Sequence, residues 1–463
     1  MIINFLIIIQ AKMRKKENRI FIIGIIITLI YQLCYLSKAT SDVPLMDYWH
    51  YINMFVDKLY TGNLNISDIW QNDGIHRSPL QFIYFLLNVK IFHLNVQVEI
   101  FLGAVLLGTT CIMLYCSLMK ECSIGDWRIR GWIGIAIIIV VYNANQYEIL
   151  TEEFALSFAS RMFLFLLSFL CTSKYLKERD EWKYAIGLGG LYIITIVSVG
   201  SGYFPAYVVI ILFIIFWNVC ETKGEKSKQS LFLILCLIIG TFIYLNGMFN
   251  QISVTSAQGI GVIQFVKNYV IGIVAMLGVS IIGGDYKKNI TLIVGVIVLS
   301  IYLCSAILYI KKRYYKRTYI PILLYGYSVC AMGLIYMGRM DKYGLNYAFA
   351  SRYVCETNVA LIGFTWISAM YISDRNGIKM FSKKKIINLV CMVILISGIL
   401  ISVYQQWEIA PYRKMYGENL IQGIYHIEEL SEDDFQAYQA EKEQVINAVQ
   451  IMEKYKLGIF RVK

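Results

Sequence analysis

Apolar runs recur along most of this chain, at about 20–37, 97–118, 131–143, 156–173, 184–200, 204–220, 231–249, 290–310, 319–338, 353–373 and 386–404. Charged residues gather in clusters between them. A bilayer offers the backbone no hydrogen-bond partners, so apolar segments of this length are expected to cross it as helices. The pattern predicts an all-α polytopic membrane protein with about 11 transmembrane helices.

Basic residues orient these spans, because Lys and Arg concentrate in cytoplasmic loops. "KMRKKENR", "KECSIGDWRIR", "KYLKERDEWK", "ETKGEKSK", "KKRYYKR" and "DRNGIKMFSKKK" together hold 25 of the 43 Lys and Arg. Placing them on one side gives a cytoplasmic N-terminus, eleven crossings and an external C-terminal tail. Two more apolar stretches must then not cross. Residues 78–92 are expected to form an interfacial helix, and 264–284 a re-entrant or in-plane segment. The expected organisation is a membrane domain over 1–404, a first external loop over 38–96, and an external helical tail over 405–463. "MIINFLIII" is too short to span, so the start is read either as an interfacial segment or as Met13.

Within the first loop the periodicity changes. After Pro44, "DYWHYINMFVDKLYTG" puts Trp49, Ile52, Val56 and Leu59 on one helical face, with Asp47 at the start and Gly62 as a C-terminal stop. Ser67 is the expected cap of a second short helix. In the tail, Ser431 or Glu432 precedes an acidic first turn, another helix start.

Composition narrows the class. The chain is 58% hydrophobic, and its mean hydropathy is +0.57. The net charge of +12 is accounted for by topology, and no basic stripe in a nucleic-acid-binding fold is visible, so no nucleic-acid partner is expected. The 11 cysteines are scattered through apolar segments without a CxxC or a zinc spacing. Only 4 histidines are present, which argues against a histidine metal site.

The loop "DVPLMDYWHYINMFVDKLYTGNLNISDIWQNDGIHRSPL" resembles the first external loop of bacterial membrane proteins akin to the GT-C glycosyltransferases. Pro44, Asp47, Trp49, Gly62, Leu64, Ile69, His76 and Arg77 match that loop's pattern. It departs at "NDGIHR", where the nearest acid, Asp73, stands three residues before His76 rather than next to it. "NANQYEILTEEFALSF" resembles the family's second external loop, and "GRMDKYGLNYAFASRYV" a late loop ending in Ser-Arg-Tyr.

The resemblance implies an inverting transfer of sugar from a polyprenyl-phosphate donor. Its acceptor is a cell-envelope glycan, lipid or protein on the outer face of the plasma membrane. An acid at the first span's exit would be general base. Asp47 is the first candidate and Asp42 the second; helix capping and plain solvation are the competing accounts. His76 and Arg77 are candidate phosphate ligands, with interfacial snorkelling as the alternative. Glu148 and Glu152, near Glu153, are candidates for orienting sugar or acceptor. Arg161 lies inside an apolar run, where a charge faces a cavity or partner, or snorkels to the headgroups. Arg339, Arg352 and Tyr353 are candidates to cradle the lipid phosphate or to anchor at the interface. A divalent cation shared by Asp42 and Asp47 is compatible with the family, but nothing in the spacing requires one. The alternatives are a transporter or flippase of lipid-linked glycans and a non-catalytic assembly protein. A transporter calls for deep charges in several spans and a pseudo-repeat; one deep charge and no repeat are seen.

Overall fold

The structure is a computed structural model. It describes residues 18–71, 77–122, 124, 126–178, 181–224, 227–246, 262–284, 288–340, 344–374 and 383–461. Helices account for nearly all of the described residues, and none is in a strand. Eleven helices are long and apolar enough to cross a membrane, so this is a multi-pass membrane protein by length and composition.

The path of the chain can be followed from contacts at the two ends of the bundle. Helix α1 (Arg19–Ala39) leads into the first loop. That loop holds α2 (Asp47–Tyr51), a π-helical turn (Ile52–Val56), α3 (Asp57–Thr61), α4 (Ile66–Ile69) and α5 (Pro79–Phe92). Helices α6 (Val96–Glu121), α7 (Trp127–Val141), α8 (Tyr147–Thr151), α9 (Ala155–Glu178), α10 (Trp182–Val199), α11 (Phe204–Glu221) and α12 (Ser227–Leu245) follow. Then come α13 (Val262–Ile282), α14 (Lys288–Lys311), α15 (Ile320–Ile335), α16 (Val354–Ser373) and α17 (Lys383–Tyr425). The tail closes with α18 (Glu432–Phe435) and α19 (Lys442–Tyr455).

The end of the bundle away from the first loop is tied by Lys120–Glu178 at 3.3 Å, Lys177–Glu221 at 3.0 Å and Lys312–Asp374 at 3.6 Å. These pairs belong to the lysine- and arginine-rich connections. At the loop end, Arg77 meets the last residues of α12, and Glu148 meets Arg352 ahead of α16. Helices α1, α6, α7, α9, α10, α11, α12, α14, α15, α16 and α17 therefore each run from one end to the other.

Helix α13 does not. Near its start Phe265 packs against Tyr336, with ring centroids 5.3 Å apart, and past its end Gly283 lies beside Asn145. Both neighbours are at the loop end. The chain turns there by close backbone contact: a Cβ on Gly278 would stand 2.0 Å from the Thr291 carbonyl, and one on Gly295 1.9 Å from that of Val274. Only glycine admits such an approach of α13 to α14. Conversely, α16 is not among the eleven apolar helices yet traverses the bundle at its centre. It is buried almost throughout, with Thr357, Asn358, Thr365 and Ser368 inside.

The first loop follows its predicted pattern. The rod from Asp47 to Thr61 buries Tyr48, Trp49, Ile52, Phe55 and Val56, and Gly62 ends it at φ 75°. Such a left-handed residue suits glycine. Ser67 is not the cap of α4: Asn65 is, because Asp68 reaches back to the Asn65 amide at 2.8 Å. Ser431 does cap α18, accepting from the Asp434 amide. The expected tail boundary at 404 falls inside α17, which continues unbroken through Pro411 to Tyr425. The tail then folds back on the first loop through Lys454–Asp57 at 2.9 Å, stacked Tyr60 and Tyr455, and Arg461–Asp42 at 2.6 Å.

Candidate functional site: a charged cavity at the loop end

A cavity of about 590 Å³ opens at the loop end. Asp47, Glu152, Arg161, Arg339, Arg352 and Tyr353 all line it. They come from the first loop, the α8–α9 turn, α9, the π-helical turn after α15, and the entry to α16. Tyr51, Tyr203, Tyr244 and Tyr347 complete an aromatic wall. The volume falls in the usual range for small-molecule sites.

Asp47 is the first residue of α2. Behind it Tyr48 is buried, edge-on to Phe85 and Phe154 at 5.2 and 5.7 Å, so the start of the rod is fixed against α5 and the turn before α9. Met46, just before it, also lines the cavity and holds φ 48°, ψ −125°. A side-chain-bearing residue keeps such a conformation only when its surroundings impose it.

The three cavity arginines differ in their partners. Arg161 pairs with Glu356 on α16 at 2.5 Å, and the Tyr327 hydroxyl donates to the other Glu356 oxygen. The Arg161 guanidinium lies over the Phe158 and Tyr203 rings at 4.6 and 4.4 Å. Arg352 donates to Glu148 at 2.7 Å. Arg339 is exposed to the cavity and has no ion-pair or hydrogen-bond partner among the described residues. Glu148 is therefore a partner of the wall rather than part of it.

Burial pushes the Glu152 carboxyl up to about 8, Glu148 adds to the rise, and Arg352 opposes it. Glu153, next to it, is buried and held well above the usual range by burial and then by Glu152. Its Oε1 has no hydrogen-bond partner among the described residues.

Two candidates make their contacts away from the cavity. Arg77 spends its fork on the carbonyls of Tyr244 and Asn246, at 2.8 and 2.7 Å, and stacks over Trp70. It is buried and caps the end of α12, where a cation satisfies the last carbonyls. Asp42 accepts from the Val96 amide at 2.8 Å and pairs with Arg461, joining α6 to the tail. Neither is among the lining residues. His76 and Asp73 lie outside the described residues.

Glu356 was not singled out from the sequence. The signal was available, since a carboxylate two residues into the apolar run after "SRY" invites the question asked of Arg161. Among the described residues no group of three or more His, Cys, Asp or Glu is arranged to hold a metal ion.

No family model, curated protein or solved structure matches this chain. Among the described residues, the geometry defines a polytopic helical membrane protein with a carboxylate- and arginine-lined cavity where its first loop meets the bundle.

Proposed function

We propose that this protein transfers a sugar from a polyprenyl-phosphate donor to a hydroxyl acceptor at the outer face of the membrane. The observation carrying this reading is that Asp47, Arg339 and Arg352 line one cavity at the end opposite the basic connections. Asp47 takes the acceptor's proton as that oxygen bonds to the anomeric carbon. The bond from that carbon to the phosphate oxygen breaks, inverting the centre. The electron pair leaves on the lipid phosphate. Arg339 is the natural ligand of that anion, because Arg161 and Arg352 already answer carboxylates.

The test is transfer by purified protein from a polyprenyl-phosphate sugar. Asp47→Asn removes the charge at nearly unchanged volume, and the position capping α2 is Met46, so the fold should stand while the rate falls about 10²–10⁴-fold. Asp42→Asn should loosen the tail and spare the chemistry. Wild-type rates from Asp47→Asn, or a dead Asp42→Asn beside an active Asp47→Asn, would sink the assignment.

A further inference from the structure

Asp47 follows a residue whose backbone must be held in place, and what holds it comes from the far end of the sequence. The Met46 amide donates to the Tyr438 carbonyl at 3.3 Å. The Tyr438 ring stands edge-on to Trp49, with centroids 5.8 Å apart, and both side chains are fully buried. A few residues on, the Asn53 amide side chain donates to the Gln444 carbonyl at 2.8 Å.

Tyr438 is itself fixed from the other side. Its hydroxyl donates to the Leu420 carbonyl of α17 at 2.9 Å. Gly423, nearby on the same helix, makes room for it, since a Cβ there would stand 2.4 Å from that hydroxyl. None of the described residues lining the cavity belongs to the tail. Arg339 and Arg352 sit on elements that these tail contacts do not touch.

We infer that Tyr438 is a positioning residue for Asp47: held by the outer half of α17, it fixes Met46 and Trp49 and so sets where the carboxylate stands. This rests on the reading of Asp47 as base. It also predicts a split in kinetic parameters, because donor contacts lie on other elements.

The experiment uses the full chain, with Tyr438→Ala and Tyr438→Phe. Two readouts are hydrogen exchange of the 46–51 and 442–455 amides, and steady-state transfer from a polyprenyl-phosphate sugar. Tyr438→Ala should speed exchange at 46–51 while 442–455 stays protected. It should lower kcat by up to about 10²-fold, as a misplacement of about 1 Å does, with KM for the donor unchanged. Tyr438→Phe, which keeps the ring against Trp49 but loses the hydroxyl's bond to Leu420, should fall between wild type and Tyr438→Ala in both readouts. Gly423→Ala pushes the hydroxyl from behind while favouring the helix; it should act like a milder Tyr438→Ala, and it decides the matter if Tyr438→Ala unfolds the tail. Unchanged exchange at 46–51 in Tyr438→Ala and Gly423→Ala, equal shifts in kcat and KM, or a Tyr438→Phe as impaired as Tyr438→Ala would overturn the inference. If wild type transfers no sugar, the functional reading falls alone, and the exchange data still decide whether Tyr438 holds the start of α2.

Discussion

Arg161 and Glu356 are both buried, on α9 and α16, and share one short contact. Removing one partner leaves the other charge uncompensated, so Arg161→Met should cost about 3–5 kcal/mol. Arg161→Met with Glu356→Gln should recover much of that, because no charge is stranded. Thermal unfolding of the solubilised variants checks the cycle; additive losses would show that the pair is not coupled.

Glu152 gives a pH dependence of definite sign. Its folded carboxyl holds a proton up to about 8, against 4.5 for the free group. Between those values the folded chain binds more protons than the unfolded one, so stability falls as pH rises through the window. Glu152→Gln should flatten that fall, measured as the thermal midpoint from mildly acidic to alkaline pH. At this scale the sequence named the cavity's charged residues but not their pairings. The apolar run around Arg161 calls for a cavity, a partner or a reach to the headgroups, and does not say that Glu356, 195 positions away, pairs with it. Likewise "HR" before a helix shows that Arg77 is basic, and only the fold shows that α12 ends against it.

At the scale of elements, span length alone misleads in both directions. Helix α13 passes the test of length and apolarity, and α16 fails it. That test measures fitness to face lipid, and α16 faces protein on all sides, so its Asn, Thr and Ser residues meet no hydrocarbon. Charge bias carried the missing information, because a crossing by 264–284 would have put "KKRYYKR" on the wrong side. The expected result is that cysteines placed at Gln264 and Lys288, in a background depleted of native cysteine, react with an impermeant maleimide from the same side. A cysteine at Lys228 should react only from the other. Opposite-side labelling of 264 and 288 would make α13 a crossing helix. The loop helices were legible because a 3.6-residue period does not depend on tertiary context. The cap of α4 was not, since Asn65 and Ser67 are both competent and Asp68 decides between them.

At the scale of the molecule, α17 has 43 residues, about 65 Å at 1.5 Å per residue, or roughly twice the hydrocarbon thickness. Its C-terminal half and the tail pack against the first loop. An impermeant amine reagent on intact cells should modify Lys442 and Lys454 and spare Lys311 and Lys312. The reverse pattern would invert the orientation on which the proposed chemistry stands.

The pairing of Arg161 with Glu356 also sets a clock for assembly. The two are 195 residues apart, and synthesis at about 5–20 residues per second separates their appearance by on the order of 10–40 s. Through that interval α9 sits in the bilayer with its guanidinium unanswered, able to reach only lipid headgroups or water. Helix α16, which carries Glu356, Thr357 and Asn358 near its start, arrives last but one and finds that charge waiting. The pair thus gives the late helix a reason to enter the bundle's centre instead of slipping back toward water, and Glu356→Gln beside an intact Arg161 should lower the amount of folded protein recovered from membranes.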